Sequence, residues 1–163
     1  MNNGLSPKAI EPLCNCLRQE ISEYGGLVCL LNEQQKLIFF RDAQGLLEVN
    51  TLIEKQVEHI SSLKDQRFSL IAGLKALSPK ALEKVEDFMN LCPLPYKSLI
   101  QDLIDNLLLL SQKIGDKTRQ NNQYLENALQ ETQSLFKKVL SQASVATYTK
   151  KGNLTFTSAS RNN

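Results

Sequence analysis

The side chains with the greatest potential for chemistry in this sequence are four cysteines and one histidine. Cys14 and Cys16 flank a single residue, whereas Cys29, Cys92 and His59 lie far from that pair. A zinc site needs four ligands, usually in closely spaced pairs, and no second pair is present. The first residues show no basic run followed by an apolar stretch, so we expect neither a secretory signal nor a disulfide framework. We interpret the cysteines as structural and predict no metal or other cofactor.

The sequence shows no group of side chains typical of an enzyme. One histidine without a paired nucleophile gives no basis for a Ser–His or Cys–His arrangement. A di-iron bundle needs Glu-x-x-His pairs on two helices, which one histidine excludes. Gly25 and Gly26 lack the strand–loop–helix setting of a phosphate-binding loop. We interpret the carboxylates as solvated residues on helix surfaces, beside Lys and Arg. We therefore predict that the protein is not an enzyme.

Composition and charge indicate a single soluble domain. The chain has 163 residues and a formal net charge of +2, so no strong field favours nucleic acid or a membrane. Its most apolar stretches, residues 26–31 and 107–110, are far shorter than the ~20 residues of a membrane-spanning helix. We expect a cytoplasmic protein.

Apolar residues recur at helical spacing through most of the chain. This pattern predicts an all-α fold, an elongated antiparallel helical hairpin or bundle with coiled-coil character and a flexible C-terminal tail. Gly25 and Gly26 predict a bend or short break in the first helix, and residues 42–45 predict a turn. The predicted helices run from about Pro7 to Arg41, from Leu46 to Leu74, from Ser78 to the Cys92–Pro93 step, and from Tyr96 to Ala143. We expect the second helix to pack against the last.

The composition changes after Ala143. Residues 144–163 are dense in Ser, Thr and Asn, contain three basic and no acidic residues, and show no core-forming pattern. We therefore divide the chain into a helical domain, residues 1–143, and a flexible tail, residues 144–163. Within the tail, residues 145–149 and 154–157 alternate around a Lys-Gly-Asn turn, which is compatible with a marginal hairpin.

The last predicted helix carries more apolar surface than a slim bundle needs. Residues 115–123 interrupt its stripe with a polar layer that contains Lys117, Thr118, Asn121 and Asn122. This layer either fixes the register of a coiled coil or marks a hinge. The apolar residues beyond the layer either complete the core or form a groove for an amphipathic helix of a partner. We take the second interpretation and predict a client-binding site that consists of Asn121, Asn122, Leu125, Leu129, Phe136, Val139 and Leu140.

The order of these features resembles that of the flagellar export chaperones of the N type, the FlgN-like proteins. A long first helix is followed by a short polar turn with Gly45 and by a helix that carries Lys55 and Arg67. The Asn121-Asn122 pair with the leucines after it is similar to the family's asparagine-and-leucine stretch. Residues 146–152, ATYTKKG, resemble the family's motif after the last helix, a Tyr followed a few residues later by a Gly.

The resemblance implies a cytosolic chaperone that binds the C-terminal helical region of flagellar hook-associated proteins. It also implies delivery of these clients to the type III export gate, with Tyr148 and Gly152 docking on the gate protein. The alternative is a structural coiled-coil protein, an assembly factor or scaffold component that forms a stable homo-oligomer. A homodimer remains open in either case.

Overall fold

The computed structural model describes residues 5–77, 85–142, 146–148 and 154–156, and it describes side chains within 5–77 and 88–141. The predicted all-α fold is confirmed. The helices are α1 (Pro7–Phe40), α2 (Ala43–Ala76), α3 (Val85–Leu91) and α4 (Leu94–Gln142), and two short strands follow, β1 (Ala146–Tyr148) and β2 (Leu154–Phe156). The described chain divides into two compact units, Met1–Asn121 and Asn122–Asn163.

The connection between α1 and α2 is shorter than the predicted turn of residues 42–45. Arg41 adopts a left-handed conformation with φ of 55°, and the Asp42 amide donates to the Leu37 oxygen at 3.0 Å, which ends α1. The Asp42 carboxylate then accepts from the Gly45 amide at 2.9 Å and caps α2. A Cβ on Gly45 would lie 2.7 Å from both Asp42 Oδ2 and Leu37 Cδ2. The turn therefore contains only Arg41 and Asp42, and α2 begins at Ala43 because its cap lies directly before it.

The glycine pair does not break α1. The helix is continuous through Gly25 and Gly26, so the predicted short break is wrong. A Cβ on Gly26 would lie 3.1 Å from Gln56 Nε2, whereas a Cβ on Gly25 would meet nothing within 4 Å. Gly26 therefore marks a close approach between α1 and α2. The last helix is likewise continuous through Gly115.

The helix directions in the first unit follow from contacts between distant residues. Gln34 bonds to Asn50 and Cys16 to Leu63, which makes α1 and α2 antiparallel. The Leu5 amide donates to the Leu91 oxygen just before α4 begins. Farther along α1 and α4, the Asn121 side chain donates to the Leu31 oxygen. This part of α4 therefore runs parallel to α1 and antiparallel to α2. The predicted antiparallel relation of the second and last helices is present in this unit.

The core of the first unit is centred on α1. Its buried apolar side chains pack with those of α2, α3 and the first half of α4. Phe88 and Met89 of the short α3 belong to this core. The most deeply buried residues include Ile10, Leu13, Cys14, Leu17 and Ile100. Such a core holds α4 in place as far as Asn121.

The second unit contains the rest of α4 and a small antiparallel hairpin. Ala146 pairs with Phe156, Thr147 with Thr155, and Tyr148 with Leu154. The hairpin anticipated from the alternating sequence is therefore present. The predicted boundary between residues 143 and 144 stays a prediction, and the rest of the predicted tail lies outside the described residues.

Candidate functional site

The end of α4 carries a band of exposed apolar side chains. We name it the α4 band: Leu125, Leu129, Leu135, Phe136, Val139 and Leu140. Their exposure runs from 40% at Leu125 to 64% at Phe136. Large apolar side chains at this exposure, contiguous on one helix, are typical of an interaction surface. All residues predicted for client binding from Leu125 onward belong to this band.

The spacing in the α4 band is that of a helix-binding seam. Positions 125, 129, 132, 136 and 139 alternate between steps of four and three, the pattern of a coiled-coil interface, and Thr132 is the polar member of this series. Leu135 and Leu140 flank the seam and widen it to an arc of about 140° at 100° per residue. Glu126 and Lys137 lie at one edge of this arc, and Glu131 and Lys138 lie at the other. The centre of the band is therefore uncharged, and charges are confined to its margins.

The same helix supplies buried residues before the band. Ile100, Leu103 and Leu107 are at most 8% exposed, because α1 and its neighbours cover them. The apolar stripe of α4 thus begins as core and continues as exposed surface. The sequence pattern is the same in both parts, and only the cover differs.

Asn121 lies at the end of the covered part and is itself buried, at 2% exposure. Its side-chain amide donates to the Leu31 backbone oxygen and to Gln34 Oε1, both at 2.8 Å. Gln34 in turn donates to Asn50 Oδ1 at 2.8 Å. Hydrogen bonds between side-chain amides therefore join α4, α1 and α2. This bonding supports the register interpretation of the polar layer. Asn122, by contrast, is exposed.

A buried ion pair in the first unit was missed by sequence reasoning. The sequence predicts Glu20, like the other carboxylates, to be a solvated surface residue. This prediction is wrong, since Glu20 is 1% exposed. Arg67 Nη2 donates to Glu20 Oε1 at 3.3 Å, and Arg67 Nε lies 2.9 Å from Glu20 Oε2 without hydrogen-bond alignment. Burial raises the pKa of the Glu20 carboxyl, and the positive charges of Arg67 and Lys64 oppose the shift. The signal was available, because Arg67 occupies an apolar position of the α2 repeat between Leu63 and Ile71.

A second polar contact joins α1 and α2 next to the glycine pair. Gln56 Nε2 donates to the Glu23 backbone oxygen at 2.9 Å and to Glu23 Oε2 at 2.6 Å. His59 Nδ1 lies 3.5 Å from the same carboxylate oxygen, and its side chain is half exposed. The histidine therefore takes part in a helix–helix contact.

Three of the four cysteines are buried in the helical core. Cys14, Cys16 and Cys92 are buried and Cys29 is exposed, all as free thiols. Burial raises the pKa of each of the three buried thiols, which disfavours their reactive thiolate forms. Within the described residues, no group of three His, Cys, Asp or Glu side chains is placed to hold a metal ion.

The comparison with protein-family models gives a match over almost the whole chain. The matching family is described as FlgN protein, and the match covers residues 1–155. The chain belongs to the FlgN family. Searches of curated proteins and of solved structures gave no significant match. As a FlgN-family protein, the chain is a flagellar export chaperone.

The two residues predicted to dock on the export gate, Tyr148 and Gly152, follow α4 in sequence. Tyr148 is the last residue of β1 and pairs with Leu154. Gly152 lies outside the described residues. The family match extends past both positions. Among the described helices of this FlgN protein, none is long and apolar enough to cross a membrane.

Proposed function

We propose that this FlgN protein binds the C-terminal helical region of flagellar hook-associated proteins in the cytoplasm and delivers them to the type III export gate. The observation that carries the proposal is the exposed, uncharged α4 band. A client helix with an apolar stripe would cover this band and lose its own exposed stripe in the same step. Each partner is thereby kept from associating with other apolar surfaces.

The shape of the band favours a helix as the bound element. Side chains spaced by four and three residues leave gaps between them, and an α-helical partner can insert its own side chains into these gaps. Apolar area covered on both partners contributes about 25 cal/mol per Å² before the entropy of association is subtracted. The charges at the margins, Glu126 and Lys137 on one side, are positioned to select the direction of the bound helix rather than to supply its affinity.

Delivery requires a second surface that stays available while the client is bound. The resemblance of residues 146–152 to the family motif supports this role for Tyr148 and Gly152, which follow α4 in sequence. A tyrosine offers an apolar ring and a hydroxyl donor, a combination enriched in protein interfaces. We therefore propose that residues after Gln142 contact the export-gate protein and that the α4 band contacts the client.

The proposal is tested in cells that lack this chain. The hook-associated proteins should disappear from the culture medium, and expression of the full chain should restore them. Another exported flagellar protein serves as the control and should leave the cell at its normal level. A loss of both exported proteins, or of neither, would contradict the proposed client class.

A further inference from the structure

A groove of about 280 Å³ lies between α2 and α4 in the first unit. Val57 and Ser61 of α2 and Ser111 of α4 lie on its walls, and all three are exposed. Tyr24 and Leu27 of α1 are buried and form its floor. We name this feature the α2–α4 groove. It is separate from the α4 band, which lies after Asn121.

The α2–α4 groove has the length and spacing of a site for one more helix. Phe68 continues its α2 wall by one turn, Leu108 continues its α4 wall by one turn, and both are about 60% exposed. Because the two helices are antiparallel, these residues lie at the same end. From Val57 to Phe68, α2 rises about 16 Å, or three turns. Positions 57, 61, 64 and 68 alternate between steps of four and three, the spacing at which a further helix packs.

The α2–α4 groove also contains a positive charge, that of Lys64. Its Nζ lies 5.6 Å from the centre of the Tyr24 ring, so the ammonium group is held at the floor. Among the described residues, no carboxylate forms an ion pair with Lys64. Glu20, which Lys64 influences electrostatically, is buried and already paired with Arg67. Two cations and one carboxylate therefore leave an excess positive charge at the groove.

We propose that the α2–α4 groove binds an amphipathic helix of a second protein, whose apolar stripe carries one carboxylate that pairs with Lys64. The apolar side chains of that helix cover the floor of the groove and the exposed side chains at its end. Its carboxylate balances the excess positive charge and fixes the register of the bound helix. The inference concerns a partner other than the client, and it does not rest on the client-binding role of the α4 band.

The charge of Lys64 argues against a second copy of this chain as the occupant. The α4 band of a second copy has an uncharged centre, so it would bury the ammonium group without a counter-charge. A symmetric contact through the groove itself would bury the Lys64 of both copies without a carboxylate. The same charge distinguishes the proposed partner from a client helix that fits the uncharged α4 band.

The chain contains no tryptophan, so Leu108→Trp in the full chain places a single fluorescent reporter at the groove. Leu109→Trp is the matched control, because Leu109 is similarly exposed and points about 100° away around α4. Two synthetic helical peptides of about 15 residues, four turns, are titrated into each protein. Both carry leucines at steps of three and four, and they differ only at one position of the stripe, which is Glu in one and Gln in the other. Circular dichroism and thermal unfolding confirm that each variant keeps its helices.

The Glu peptide should shift the emission of the Leu108→Trp protein to shorter wavelength and bind about fivefold more tightly than the Gln peptide. The Leu109→Trp protein should show no shift. Adding Lys64→Gln to the Leu108→Trp protein should remove the preference for the Glu peptide. Adding Lys55→Gln instead should preserve it, because Lys55 is exposed on the opposite side of α2.

Equal affinities of the two peptides for the Leu108→Trp protein would overturn the proposal, as would the absence of a saturable shift. Emission that changes with protein concentration before peptide is added would also overturn it, since a second copy would then be the occupant. The reporter lies before Asn121 and the α4 band lies after it, so a failure here leaves the proposed function standing. A failure of client binding at the α4 band leaves this result unaffected.

Discussion

The side-chain amide of Asn121 lies 2.8 Å from the backbone oxygen of Leu31, and this contact marks the last buried point of α4. On the N-terminal side of Asn121, the apolar stripe of α4 is core. On its C-terminal side, the stripe is exposed. One hydrogen-bonded asparagine thus separates the part of the helix that builds the fold from the part available for a partner.

The first prediction concerns this asparagine. Asn121→Asp replaces the donor with a carboxylate that faces two acceptor oxygens, of Leu31 and Gln34. The free energy of unfolding should fall by about 3 kcal/mol, because a buried charge is left without a partner. Urea unfolding measures this loss, and Asn122→Asp, one residue along on the exposed side, is the control. Equal stabilities for the two variants would contradict the buried position of Asn121.

The second prediction concerns the ion pair of Glu20 and Arg67. Arg67→Met leaves the Glu20 carboxylate buried without its guanidinium and should lower the free energy of unfolding by about 3–5 kcal/mol. The double variant Glu20→Leu/Arg67→Met removes both charges and should recover most of that loss. Denaturant unfolding of the wild type, the two single variants and the double variant gives the coupling energy. Additive losses would show that the two side chains do not act as a pair.

The third prediction separates the two adjacent glycines. Gly25→Ala should stabilise the protein by roughly 1 kcal/mol, since alanine favours a helix and its methyl group meets open space. Gly26→Ala should gain less or become destabilising, because Gln56 must move and disturb its bonds to Glu23. Thermal unfolding compares the two variants. An equal gain at both positions would mean that the Gln56 contact contributes nothing.

The fourth prediction tests the division of labour between α4 and the residues after it. Tyr148→Ala should leave the affinity for a client peptide within about twofold, because the α4 band is unchanged. Export of the hook-associated proteins should nevertheless fall. Calorimetry with the peptide and analysis of the culture medium give the two values. Loss of both affinity and export would assign Tyr148 to the client site or to the fold.

The sequence was sufficient for the fold class and for the stripe of α4, because helical periodicity is a local property. It did not distinguish covered from exposed parts of that stripe, since Leu107 and Leu125 follow the same repeat. Cover depends on which other helices pack against each part of α4, which is a tertiary property. Asn121 was grouped with the leucines after it for this reason, although its amide belongs to the buried bonding between helices.

Two other differences from the prediction have specific physical causes. The bend or short break expected at the glycine pair relied on the low helix propensity of glycine. The break is absent, and Gly26 packs closely against Gln56 within a continuous helix. Glu20 was treated as a surface carboxylate because its partner, Arg67, is 47 residues away. A charged residue at an apolar position of a repeat is the signal that such a distant partner exists.

The most direct test of the proposed function compares two exposed phenylalanines. Phe136 in the α4 band is 64% exposed, and Phe40 at the end of α1 is 82% exposed. Each is changed to Glu in the full chain, and a peptide of the C-terminal helical region of a hook-associated protein is titrated into each variant by calorimetry. Thermal unfolding of both variants is measured beside it.

The proposed function predicts that Phe136→Glu abolishes peptide binding, because a carboxylate is then buried against an apolar helix. Both melting temperatures should stay near that of the wild type, and Phe40→Glu should bind the peptide normally. Normal binding by Phe136→Glu would contradict the proposed client site. A large fall in its melting temperature would show instead that Phe136 belongs to the core.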